Sequence, residues 1–137
     1  SLLTKKVLKA FGIRNTVKNQ EVIDNIFSSL SYEMHEENGT LFAYNEGGPK
    51  AITKYRLNSP DCRRDAGDIP DIELELAIRD IVQKQVSIPK ESLLDEVQKL
   101  FNFSKTNGEI RERVKIILDS KTIDGVGVDE SGNYISR

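Results

Sequence analysis

The chain has 137 residues, a formal net charge of −2, 37% hydrophobic and 31% charged side chains. That balance fits one compact domain or two small ones, argues against disorder, and lacks the global basic field that drives non-specific nucleic-acid binding. A single cysteine, Cys62, and a single histidine, His35, exclude an internal disulfide and the usual Cys/His zinc set, and no apolar run approaches the roughly 20 residues of a membrane span.

At the N-terminus, Ser1-Leu2-Leu3-Thr4-Lys5-Lys6 leads into a charged helical pattern instead of a long apolar core, so it does not read as a signal peptide. A start at serine reads as an excised fragment or a trimmed tag, and the expected compartment is the reducing cytoplasm. The pattern predicts an amphipathic helix ending near Phe11, then a second helix near 17–30 that buries Val22, Ile23, Ile26, Phe27 and Leu30. Strands over 32–36 and 41–44 flank Asn38-Gly39, a strong hairpin signal. The stretch 46–69 reads as a loop that packs across a surface or joins two units. It holds Gly47-Gly48-Pro49, Tyr55-Arg56, Pro60, Arg63-Arg64 and Asp65-Ala66-Gly67-Asp68.

The C-terminal half is clearer. Asp71 is placed to cap a helix running to about Lys84, with Leu74, Ala77, Ile78, Ile81 and Val82 on one stripe. Val86-Ser87-Ile88 reads as a short extended link. Pro89 suits the first turn of a helix that aligns Leu93, Leu94, Val97, Leu100 and Phe101. Thr106 and Glu109 match a capping box for a third helix, buried through Ile110, Val114, Ile117 and Leu118. Residues 122–129 and 133–136 then form a hairpin around Asp129-Glu130-Ser131-Gly132. The order helix, strand, helix, turn, helix, hairpin is that of a winged helix-turn-helix.

The plan recurs. Residues 7–16 line up with 97–106 at an offset of 90 residues, Val7 onto Val97 and Phe11 onto Phe101, and a helix and a hairpin follow both. The expected architecture is α+β, two tandem winged-helix-like units of which the first lacks its opening helix: 1–48 a partial unit, 49–69 a linker, 70–137 a full domain.

Ile69-Pro70, Glu73-Leu74, Ala77-Ile78, Glu91-Ser92-Leu93-Leu94, Phe101-Asn102-Phe103-Ser104-Lys105-Thr106 and Ile110-Arg111-Glu112-Arg113-Val114 together carry a resemblance. They are similar to a winged-helix-like domain of unknown function near the C-terminus of large bacterial superfamily I helicase-like proteins, some with an endonuclease-like domain. The resemblance covers 70–137, and Tyr55-Arg56 and Arg63-Arg64 look like the preceding linker of such proteins. Asn102 stands where that family commonly has glycine and Lys105 where it has arginine, with Gly108 arriving late. The resemblance implies attachment to a nucleic-acid-dependent motor. It transfers no nucleotide binding, because the chain holds no Gly-x-x-x-x-Gly-Lys-Ser/Thr loop.

Two readings of the third helix compete. Its outward side is expected to present Gly108, Glu112, Lys115, Ile116 and Asp119, with Arg111 and Arg113 on the flanks. Carboxylates there repel phosphates, so the helix is a poor groove reader, and Ile116 points instead to a protein contact. The expected protein contacts are Glu112, Ile116, Arg63 and Arg64. The alternative is duplex DNA held by phosphate contacts of Lys105, Arg111, Arg113, Lys115 and Lys121. The arginine pairs could equally anchor the linker to acidic neighbours. His35 and Cys62 read as a surface residue and an idle thiol. No nucleophile–base pair or metal set can be assembled, so the expectation is a non-catalytic module without cofactor. It would serve a helicase-like protein, with the rest of that protein as partner and no membrane.

Overall fold

A computed structural model describes residues 2–29 and 32–137, with side chains described for 4–26 and 32–137. It is an α+β structure of two compact units, Ser1–Ile52 and Thr53–Arg137. Among the described residues no helix is long and apolar enough to cross a membrane.

The first unit holds α1 (Leu2–Ala10), α2 (Val17–Ser29), β1 (Glu33–Glu37) and β2 (Thr40–Tyr44), then a 3-10 turn over Gly48–Ala51. The two strands pair antiparallel with Met34 opposite Ala43 and Glu36 opposite Leu41. Asn38 and Gly39 both take positive φ, 51° and 78°, as the tight hairpin signalled by Asn-Gly requires. α1 packs on α2 and on β2, burying Thr4, Leu8 and Tyr44. Burial along α2 departs from expectation: Val22 and Ile26 are half exposed, and the side chains of Phe27 and Leu30 lie outside the described residues.

The second unit holds α3 (Asp71–Gln85), β3 (Ser87–Ile88), α4 (Lys90–Leu100), α5 (Gly108–Ser120), β4 (Val126–Val128) and β5 (Tyr134–Ser136), in the expected order. The sheet order is β3-β5-β4, both pairs antiparallel, so the last strand lies between the other two. α3 packs on α4, α5 and the sheet. The expected stripes meet there: Leu74, Ala77, Ile78 and Val82 from α3, Leu93, Leu94, Val97 and Phe101 from α4, Ile110, Val114 and Ile117 from α5. Leu100 and Leu118 lie only partly buried at its edge.

The segment expected as a linker divides. From Thr53 onward it belongs to the second unit, and Ala66 and Ile69 enter that unit's core. Tyr55 lies against Phe101, ring centroids 5.9 Å apart, and its hydroxyl donates to Asp80 at 2.6 Å. Burial first, then the hydrogen bond and the charge of Asp80, push the Tyr55 phenol up to about 12.

Three local expectations change. Pro70, not Asp71, is the N-cap of α3, and the Asp71 carboxylate instead accepts from Arg113 and Lys121. Asn107, not Thr106, caps α5, its side chain accepting from the Glu109 N–H at 3.2 Å. Thr106 instead pairs with the Ser104 hydroxyl. Val86 is no extended linker residue: it ends α3 at φ 67°, ψ −50°, a strained backbone for a β-branched side chain.

Candidate functional site

The segment 53–69 is fastened by one carboxylate. Glu73, in the first turn of α3, is 2% exposed. It accepts from the Arg56 N–H at 2.6 Å and Nη2 at 3.1 Å, and from Arg64 Nη1 at 2.6 Å. Burial alone would raise its pKa; the hydrogen bonds from Arg64 and Arg56 outweigh burial and hold it below the ordinary carboxylate value. Arg64 also donates to the Arg56 carbonyl. Of the arginine pair, then, Arg64 is turned inward and Arg63 alone is exposed. A buried charge is tolerable only when paired and hydrogen-bonded on most of its lone pairs, which this geometry provides.

The cations of α5 and of its C-cap, Lys121, are also paired with carboxylates. Arg111 reaches across to α4, donating to Asp95 at 2.5 Å, to Gln98 Oε1 at 3.2 Å and to Glu91. The Asp95 hydrogen bond, then that of Glu91, raise its pKa against the opposing effect of burial. Arg113 was expected on the flank but is buried, donating to the Ala66 carbonyl and to Asp71 at 2.7 Å. Among the described residues, its Nε–H is a buried side-chain donor that finds no acceptor. Lys115 pairs with Glu112 at 3.1 Å, one helical turn away. Lys121 reaches Glu75 at 2.7 Å and Asp71 at 3.5 Å. Burial would lower its pKa, but the Glu75 and Asp71 carboxylates outweigh that and raise it.

Of the five cations considered for phosphate, Lys105 alone is exposed with no salt bridge among the described residues. It lines, with Lys99, Asp95, Glu96, Gln98, Asn102 and Phe103, a hollow of about 410 Å³ beside the α4–α5 turn. Gln98 fixes that turn from its buried position by donating to the Asn107 carbonyl at 2.8 Å and to the Ser104 carbonyl at 3.3 Å. Asn102 takes φ 60°, a left-handed position that glycine and asparagine fill most readily.

Ile116 stands as expected on the outward side of α5, 58% exposed. Glu112 and Asp119 are also exposed there. Asp119 is tied to Lys90 at 2.6 Å.

Sequence reasoning missed Glu73 and Gln98 as buried polar anchors. The signal available was their position: both sit within the apolar stripes of their helices, where an unpaired polar group would be costly.

No family model, curated protein or solved structure matches the chain.

Proposed function

We propose that the chain is a non-catalytic interaction module of a larger, cytoplasmic, bacterial helicase-like protein, and that its second unit is of winged-helix type and binds protein through the outward face of α5. The helix order and the β3-β5-β4 sheet, with α5 ahead of the hairpin, support the winged-helix reading. The likeness of 70–137 to the helicase-associated domain supports the parent. The observation that carries the protein-binding reading is the engagement of the α5 cations. Arg111, Arg113, Lys115 and Lys121 are held by Glu91, Asp95, Asp71, Glu112 and Glu75 of the same unit. Reaching a phosphate would mean breaking these pairs and bringing the freed carboxylates close to the backbone of a polyanion. Ile116, by contrast, offers apolar surface ringed by polar groups, the composition of a protein contact.

The second reading, duplex binding, has one observation in its favour: Lys99 and Lys105 are exposed together beside the α4–α5 turn. A labelled duplex titrated with the chain separates the two by fluorescence anisotropy at low and near-physiological salt. The protein-binding reading expects no complex up to about 100 μM, the weak end of non-specific affinity. Micromolar binding that falls steeply with salt, and weakens with Lys105→Ala but not with Ile116→Asp, would replace it with the phosphate-contact reading.

A further inference from the structure

The two units match in detail. At the end of α1, Phe11 N–H bonds the Val7 carbonyl, Gly12 the Lys9 carbonyl and Ile13 the Leu8 carbonyl. At the end of α4, Phe101 bonds Val97, Asn102 bonds Lys99 and Phe103 bonds Gln98. The left-handed residue falls at the matched place, Gly12 at φ 66° and Asn102 at φ 60°. α2 and α5 are both 13 residues long and start and end 91 residues apart, Val17 to Gly108 and Ser29 to Ser120. A hairpin follows each. The sequence repeat is therefore a structural one.

What differs is what covers it. Phe101 is fully buried, but its counterpart Phe11 is 77% exposed. Ile117 is 2% exposed and its counterpart Ile26 is 49%. Arg113 lies under α3, bonded to Asp71, and its counterpart Val22 is half exposed. The sheets differ in the same sense. β5 has a strand on each side, β3 and β4, while β2 has β1 on one side only among the described residues. The exposed helical face, and the edge of β2 that has no partner strand among the described residues, correspond to what α3, β3 and, at Phe101, Tyr55 of the segment 53–69 supply in the second unit.

We infer that the face formed by Phe11, Val22 and Ile26 is the seat of an amphipathic helix of the same polypeptide, followed by a short strand that pairs with β2 on the side opposite β1. That segment enters ahead of α1 as α3 and β3 enter ahead of α4. The register places it: α3 begins 21 residues before Ser92, the position matched to Leu2. Its buried side carries aliphatic residues at the i, i+3, i+4, i+7 spacing of Leu74, Ala77, Ile78 and Ile81. It carries no arginine-binding acid like Asp71, because Val22 stands where Arg113 does.

The test compares the chain of 137 residues with the same chain extended upstream in its natural reading frame far enough to include that stretch. Each is made with Phe11 and with Phe11→Ala, and the first unit's unfolding is followed in urea. In the shorter chain the substitution changes the unfolding equilibrium by less than about twofold, as at an exposed site. In the extended chain the first unit is stabilised, and Phe11→Ala costs about a hundredfold or more, as for a buried phenylalanine. The inference is overturned if the extension leaves the effect of Phe11→Ala unchanged. It is also overturned if the shorter chain is already a dimer in sedimentation and Phe11→Ala dissociates it, which would make a second copy the occupant.

Discussion

Phe11 and Phe101 end matched helices, sit one residue before matched left-handed turns and differ only in company: one is 77% exposed, the other has no exposed surface. Local pattern sets the helix and the left-handed turn that ends it, and it does so equally well in both units. Burial is a property of neighbours. In the second unit α3 and the segment 53–69 bring Leu74, Ile78, Ala66, Ile69 and Tyr55 to the α4–α5 pair. In the first unit nothing described takes that place, and the same kind of stripe faces outward.

The largest expected effect breaks the better-covered unit. Phe101→Ala should cost about 3–5 kcal/mol in urea unfolding, because a buried aromatic leaves a cavity that a close-packed core fills only in part. A loss below about 1 kcal/mol would mean that the α3–α4–α5 core is loosely packed.

Next comes the carboxylate that fastens the segment 53–69 to the second unit. Glu73→Ala strands the inward-turned Arg64 guanidinium and the Arg56 N–H beside α3 and should cost about 3 kcal/mol, the range seen when one partner of a buried pair is removed. The same pair predicts a pH dependence. The Glu73 pKa is lowered in the fold, so its contribution is fully present above the unfolded value of 4.5 and is lost as pH falls through the folded value. Stability of the second unit should therefore fall below about pH 4.5, and Glu73→Gln should flatten that fall. An acid profile identical in the wild type and in Glu73→Gln would remove Glu73 from the account.

On the face of α5, Ile116→Asp should leave unfolding unchanged within about 0.5 kcal/mol and, on the proposed reading of the chain as a module of a helicase-like protein, weaken binding to that protein about tenfold or more, as at an interface anchor. Unaltered binding would move the contact elsewhere. The smallest effect concerns the end of α3. Val86→Gly removes the strain of a β-branched residue at φ 67° and should stabilise the second unit by about 1 kcal/mol net of the backbone entropy glycine loses on folding. A destabilisation would mean that the Val86 side chain makes a contact worth more than the strain.

The helices, their order and most of the second unit's core were legible because an apolar stripe at helical spacing has one physical use in a folded domain. Leu74, Ile78, Leu93, Val97, Ile110 and Val114 are all buried as the pattern predicts. The Asn38-Gly39 hairpin was legible for a backbone reason, both residues needing positive φ. The caps at Pro70 and Asn107 were not, because several neighbouring residues could supply a cap and tertiary pairing decides which one does. Asp71 and Thr106 were drawn away by Arg113 and Ser104. Arg113 itself could not be placed from spacing alone. Its helical position is at the edge of the buried face, and its inward turn depends on the Ala66 carbonyl, 47 residues earlier in the chain. Exposure of Val22 and Ile26 was equally illegible, since their spacing declares an apolar face without naming what meets it.

The central claim is that matched helices are covered in one unit and open in the other. Native-state hydrogen exchange of the 137-residue chain tests it directly. The account predicts that amides of α4 and α5 exchange at least about a hundredfold more slowly than those of α1 and α2, since protection follows the burial that each helix pair enjoys. Equal protection of the two pairs would contradict it, for it would mean that the open face of the first unit costs that unit nothing.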